Sequence, residues 1–276
     1  MRVAIIGQGY VGLTIGVGAA GAGHKVIGFD VNPRLVAELN SGQSHIEGIS
    51  NSYLASFIKA GSYKATTDAA LLNGCEVIVI AVPTPLTDDR QPDLSFIHAA
   101  VEMIQKNVKI PALVVNESTS YPGTLRNEIA AQITDVDHMY VTSPERVDPG
   151  NTQWGTKNTP RLIGGLTNDA VAKAKEFYSS FCDIVIDVSS PEVAEAAKIF
   201  ENTFRQVNIA LVNEFAQIAD ALGISGREVL DAAATKPYGF MEFNPGPGVG
   251  GHTAANRTSL AVRRQPRRAG LAQSRR

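Results

Sequence analysis

The stretch Ile5-Ile6-Gly7-Gln8-Gly9-Tyr10-Val11-Gly12 constrains this chain more than any other. An apolar run, RVAIIG, leads directly into three glycines spaced G-x-G-x-x-G, and helical periodicity starts behind them. Each glycine has a separate physical reason to be there. Gly7 allows a tight turn, Gly9 lets an anionic group come close to the backbone, and Gly12 lets helix and strand pack closely with the helix N-terminus facing the anion. The spacing alone is weak evidence. It gains weight because the next apolar run, HKVIGFD, ends in Asp30, where a carboxylate can accept hydrogen bonds from ribose hydroxyls. A dinucleotide site is therefore expected at Gly7, Gly9, Tyr10, Val11, Gly12 and Asp30. Asp30 repels a 2′-phosphate, so NAD is expected rather than NADP, and Arg34 is the nearby group able to meet such a phosphate.

Behind this unit, strand-length apolar runs alternate with helical patterns. Residues 2–7, 24–30, 63–68, 76–84, 112–119 and 138–145 are rich in β-branched side chains, and 94–107 and 122–132 have helical spacing. That alternation predicts βαβ units in an α/β fold, a Rossmann-like, doubly wound and mostly parallel sheet. RLIGG (161–165) and DIVIDV (183–188) are expected to complete it, giving a domain over 1–190. AVPTP (81–85) and STSYPG (118–123) follow the fourth and fifth strands, at the edge where ligands of such sheets lie, so Pro83, Thr84 and Thr119 join the cofactor site. From Pro191 the pattern becomes one long helix stopped by Gly223, with proline at its first turn and glycine past its end. A small helical domain over 191–252 is expected around it. Ile209, Val212, Phe215 and Ile218 are the apolar positions expected to need cover from a second copy.

Composition narrows the function classes. No apolar run is long enough to span a membrane, and no charged leader precedes the first strand, so a soluble, cytoplasmic protein is expected. Cys75 and Cys182 sit beside apolar runs without metal-like spacing, as buried thiols do. The overall charge of −2 conceals seven arginines at 257, 263, 264, 267, 268, 275 and 276, so the body is acidic and the tail strongly basic. That tail lacks lysine and aromatics, and no nucleic-acid or membrane partner is expected.

GQGYVGLT, AVPTPL, PDLSFI, ESTSYPGT, SPERVDPGN, AEAAKIFENTFRQVNIALVNE and KPYGFMEFNPGPGVGGH occur here in order. With them the chain resembles the UDP-sugar 6-dehydrogenases over residues 1–252, most of all those that oxidise UDP-N-acetylhexosamines. The resemblance implies oxidation of C6 from alcohol to carboxylate with two NAD per sugar, in the synthesis of polysaccharide precursors, by a homodimer joined through the 191–223 helix. It assigns acid/base work with a bound water to Glu145, and the holding of that water to Thr119. It assigns Lys198 and Asn202, four residues apart on one helical face, to an oxyanion as charge develops. Taken alone, Lys198 would read as a solvated helix charge. Gly248 and Gly250 fall in the glycine loop and are counted with Glu145, Lys198 and Asn202 as substrate contacts.

The match stops at Thr253. The family places a cysteine there and an aspartate four residues on, where this chain has Arg257. His252 has no second ligand at metal-like spacing, so no metal site is expected and it reads as loop structure or a substrate contact. A threonine hydroxyl is a far weaker nucleophile than a thiol with a pKa near ~8.5. Residues 253–276 read as an aberrant, disordered, arginine-rich tail, from an out-of-frame end or from evolved loss. The C-terminal UDP-binding domain is expected to be absent and the chain weakly active or inactive. Two alternatives stay open: a non-catalytic, NAD-binding and dimerising remnant, or a dehydrogenase of the 6-phosphogluconate or 3-hydroxyacid type.

Overall fold

The computed structural model describes residues 1–148, 151 and 153–249, so Gly250, His252, Thr253, Arg257 and the tail 253–276, on which expectations were placed, lie outside the described residues. Eight strands form one sheet: β1 (Arg2–Ile6), β2 (Lys25–Phe29), β3 (Tyr63–Thr66), β4 (Val77–Ile80), β5 (Leu113–Asn116), β6 (Met139–Thr142), β7 (Arg161–Gly165) and β8 (Val185–Asp187). Their order is β3-β2-β1-β4-β5-β6-β7-β8, and every pair is parallel except β6 with β7. This is the doubly wound sheet that the alternating runs predict. From β1 the chain builds outward first through β2 and β3 and then, on the other side, through β4, β5 and β6. The reversal between β1 and β4 opens a crevice at the strand ends.

Both sheet faces are covered, which is why the strands are continuous apolar runs rather than alternating ones. Val3, Ile5, Val77 and Val79 join one buried cluster, with Leu13 and Ile15 of α1 (Tyr10–Gly21) and Phe177 of α5 (Asn168–Tyr178). Ala4, Ile6, Ile78 and Ile80 point the opposite way, against Ile97 and Ile104 of α4 (Ser95–Asn107). The period of two along each strand thus divides the core into two layers. The shorter α2 (Pro33–Asn40) and α3 (Asn51–Lys59) lie between β2 and β3 in the chain.

Three expected strands end early. The runs 76–84, 112–119 and 138–145 keep strand pairing only to Ile80, Asn116 and Thr142. Pro83 and Pro85 have no N–H for a ladder, and Ser118 takes over the Val82 backbone, its hydroxyl accepting from the Val82 N–H at 3.1 Å and donating to the Val82 carbonyl at 2.8 Å. The expected helix 122–132 shrinks to a π-helical turn over Leu125–Ala130.

The long helix α6 runs Pro191–Ala221, 31 residues or about 46 Å. The Ser190 hydroxyl accepts from the Val193 N–H at its start. At its end Gly223 takes φ 68° while the Gly223 and Ile224 N–H groups bond back to Asp220 and Ala219, a glycine stop that needs no Cβ. A short α7 (Gly226–Ala234) follows. Of the four positions expected to need cover, Ile218 is exposed, Ile209 and Phe215 are half-buried and only Val212 is buried; Phe200, Phe204, Val207, Leu211, Ile218 and Leu222 form the exposed stripe. Val212 turns inward because the apolar positions of α6 fall on two sides, one closed by this chain and one left open. No described helix is long and apolar enough to cross a membrane.

Candidate active site

The turn after β1 supports the three separate roles of its glycines. Gly7 has φ 91°, and a Cβ there would stand 2.5 Å from the Ala81 carbonyl oxygen. At Gly12 a Cβ would collide with the Gly7 carbonyl oxygen, so the helix can sit this close to the strand only without a side chain. A Cβ at Gly9 would have nothing within 4 Å among the described residues. No side chain caps the N-terminus of α1, leaving its first N–H groups for an anion. Asp30 is oriented by the backbone: its carboxylate accepts from the Gln8 N–H at 2.8 Å and the Asn32 N–H at 2.9 Å. Buried Gln8 is fixed in turn by the Tyr63 hydroxyl, which donates to it at 2.6 Å. Arg34 is drawn away along α2 to Glu38, 2.9 Å distant. An open glycine cradle, free N–H donors and a fixed acidic side chain fit NAD.

The loops after β4 and β5 are sewn together across the crevice. Thr84 donates its hydroxyl to the Thr119 carbonyl at 2.7 Å. The Thr119 hydroxyl itself has no partner among the described residues.

Glu145 is buried, and both its oxygens are occupied. One accepts the N–H groups of Arg146 and Val147 at 2.7 and 2.8 Å, and the other accepts from Arg161 at 2.9 Å. Burial alone would raise its pKa, but Arg161 and the two N–H groups more than offset this and hold the carboxyl below its ordinary value. The result is a fixed carboxylate. Arg146 then ties this loop to α6, forking onto Glu201 at 2.7 and 3.3 Å and donating to the Pro160 carbonyl at 2.7 Å. Asp148 and Arg205 approach to 3.7 Å beside it.

These ties bring Glu145 to Lys198. Burial holds the Lys198 ammonium below the usual lysine range, with Glu145 and Glu201 acting against that shift, Arg146 with it and Asp148 against it. Lys198 and Asn202 make no side-chain hydrogen bond among the described residues, so an ammonium and an amide are free for a ligand. Tyr10 links this cluster to the glycine turn. Burial raises its pKa most, and Glu145, Asp148 and Glu47 add to the shift. Gly248 is exposed with φ 140°, and no described hydrogen bond joins it to the cluster. The nearby Gly246 N–H bonds to Asn213 instead, further along α6 than Asn202.

Sequence reasoning missed Arg161, Glu117 and Tyr178. Arg161 extends one amino group to within 2.6 Å of both Glu117 oxygens, the Tyr178 hydroxyl also donates to Glu117, and the guanidinium lies 4.7 Å from the Tyr178 ring. The available signal was charge in the wrong place, an arginine opening the apolar RLIGG and a glutamate closing the apolar ALVVNE.

Residues 1–182 match the UDP-glucose/GDP-mannose dehydrogenase family, NAD binding domain, and residues 192–272 match the central domain of that family. A UDP-N-acetyl-D-mannosamine dehydrogenase of Pyrococcus horikoshii is 37% identical over 259 residues, covering 91% of this chain and 62% of its own length. A UDP-N-acetyl-D-glucosamine 6-dehydrogenase of Pseudomonas aeruginosa is 36% identical over 260 residues, covering 91% of this chain and 60% of its own. A solved structure of the Pyrococcus horikoshii UDP-D-ManNAc dehydrogenase superposes with a TM-score of 0.87 at 34% identity, covering 95% of this chain and 65% of that one. The chain thus spans under two thirds of the length of these relatives.

Proposed function

Since this chain belongs to the UDP-glucose/GDP-mannose dehydrogenase family, we propose that it carries the cofactor and catalytic half of a site that oxidises C6 of a UDP-N-acetylhexosamine. The observation that carries this reading is the Glu145 carboxylate, held by Arg161 and two backbone N–H groups, together with Lys198 and Asn202, which make no side-chain hydrogen bond among the described residues.

Gly7, Gly9, Tyr10, Val11, Gly12 and Asp30, with Pro83 and Thr84, would hold NAD, which would supply a hydride acceptor. The chain's own residues supply the rest. Glu145 offers its carboxylate to a water, with the Thr119 hydroxyl as that water's second contact, and the pair takes up the proton leaving the C6 hydroxyl. Lys198 and Asn202 present N–H donors to the oxygen on which negative charge collects, in a setting where burial strengthens that interaction. Thr253 holds the position of the nucleophile needed for the second oxidation. Its hydroxyl needs a base where a thiol does not, so we propose that turnover to the carboxylate is weak or absent in this chain.

The proposed partner is a second copy. Phe200, Phe204, Val207, Leu211, Ile218 and Leu222 recur at the three- and four-residue spacing of one helical seam and are exposed in the single chain.

Calorimetric titration with NAD, NADP, UDP-N-acetylglucosamine and UDP-N-acetylmannosamine tests the reading, with 6-phosphogluconate and a 3-hydroxyacid as comparators. Binding of NAD together with a UDP-sugar is expected. Binding of NAD with a comparator acid, and no UDP-sugar, would replace it with the other dehydrogenase class.

A further inference from the structure

The buried group that the proposed chemistry leaves unused is the Arg161 cluster. Arg161, Glu117 and Glu145 are 4%, 1% and 8% exposed, so one cation faces two carboxylates with almost no water. A buried charge is tolerated when it is paired; Arg161 is shared by both carboxylates, and Glu145 also faces the Lys198 ammonium. The donors around the two carboxylates differ. Glu145 has two backbone N–H donors in addition to Arg161, an arrangement that suits a carboxylate. Glu117 has Arg161 and the Tyr178 hydroxyl, with the Ser143 hydroxyl and carbonyl also close to Arg161 at 3.3 and 3.4 Å. Burial is the largest influence on Glu117 and pushes its carboxyl up to about 7, with Arg161 opposing and Glu145 adding to the rise. Cys182, the remaining titratable neighbour of Arg161, is held as a thiol by burial.

We propose that Arg161 and Glu117 are positioning residues that set the basicity of Glu145, because the Arg161 charge is divided between the two carboxylates according to whether Glu117 carries a proton. With Glu117 neutral, the guanidinium belongs to Glu145 and keeps it a weak base. When Glu117 ionises, it competes for the guanidinium and Glu145 becomes more basic. The pair has environments that push its two pKa values apart, and Arg161 is the lever between them. The catalytic meaning rests on the proposed role of Glu145; the coupling itself does not.

The test is a carbon-detected NMR titration of the full chain labelled at the glutamate carboxyl carbon, assigned with Glu117→Gln and Glu145→Gln. In Glu145→Gln the Glu117 midpoint should fall by about one pH unit, since a repelling charge is gone and Arg161 is freed. In Arg161→Lys, which keeps a cation but loses the fork, the Glu117 midpoint should rise by about as much. Coupling is reciprocal, so the shift read at Glu117 is also the one imposed on Glu145. An unchanged Glu117 midpoint in either variant that keeps the folded spectrum overturns the proposal. No sugar or turnover enters this readout, so failure of the chain to oxidise a UDP-sugar would remove the proposed function while leaving the coupling measured.

Discussion

Glu195 reaches out of α6 to accept the Gly123 N–H at 2.6 Å, and its second oxygen accepts the Leu125 N–H at 2.9 Å. This carboxylate fastens the loop that carries Thr119 to the helix that carries Lys198 and Asn202. It lies three residues before Lys198 and seven before Asn202, on the same side of the helix.

The Glu195 tie gives stability a pH dependence of known sign. Burial outweighs the two N–H donors and raises the carboxyl from 4.5 to about 7. A carboxyl raised by folding contributes stability that is complete below its unfolded pKa and is lost as pH rises through its folded one. Urea unfolding should therefore show the chain less stable at pH 8 than at pH 5, by on the order of 1–3 kcal/mol from this group. Glu117 acts in the same direction. Glu195→Gln should reduce that slope, whatever it does to absolute stability. An identical slope in wild type and variant would rule the assignment out.

Gly9 and Gly12 should separate cofactor binding from folding. Gly12→Ala meets the Gly7 carbonyl oxygen and should destabilise by about 1–3 kcal/mol as an overpacked contact. Gly9→Ala meets nothing among the described residues and should leave the thermal midpoint nearly unchanged while weakening NAD at least tenfold. Differential scanning calorimetry and NAD titration on both variants decide this. Equal loss of stability in the two would contradict the separate roles.

Asp30→Ala should weaken NAD by about 10–100-fold, the scale of hydrogen bonds to a charged group, and narrow the preference over NADP. Equal affinities for NAD and NADP in the unmutated chain would sink that assignment.

What the sequence made legible was local. Gly7, Gly9, Gly12 and Asp30 lie in one turn and the strand end beside it, so the glycine spacing read together with the two apolar runs locates them. Strand ends were overread at Ile80, Asn116 and Thr142 because β-branched residues continue into loops whose backbone is claimed by side chains such as Ser118. The Arg161 cluster was invisible because its partners are far apart in sequence and meet only when β5, β6 and β7 lie side by side. On α6 the helix, its glycine stop and the lack of full cover at Ile209, Phe215 and Ile218 were legible, but the burial of Val212 was not, since periodicity cannot tell which of two apolar sides this chain covers itself.

The seam makes its own prediction. Sedimentation velocity should show the unmutated chain as a dimer, and Leu211→Glu, at a position 60% exposed in the single chain, should shift it toward monomer. A clean monomer before any substitution would contradict the proposed partner.

The most direct measurement compares NADH formed with uronate formed when NAD and a UDP-N-acetylhexosamine are incubated with Thr253→Cys at high protein concentration. In the proposed mechanism the first hydride removal rests on Glu145, Lys198 and Asn202, and the thiol serves only to carry the aldehyde onward. The account predicts two NADH per uronate in Thr253→Cys, less uronate from the unmutated chain, and at least 100-fold slower NADH formation when Lys198→Ala is added to the cysteine variant. Absence of NADH from Thr253→Cys while it binds both NAD and the UDP-sugar would contradict the assignment of these residues to the oxidation.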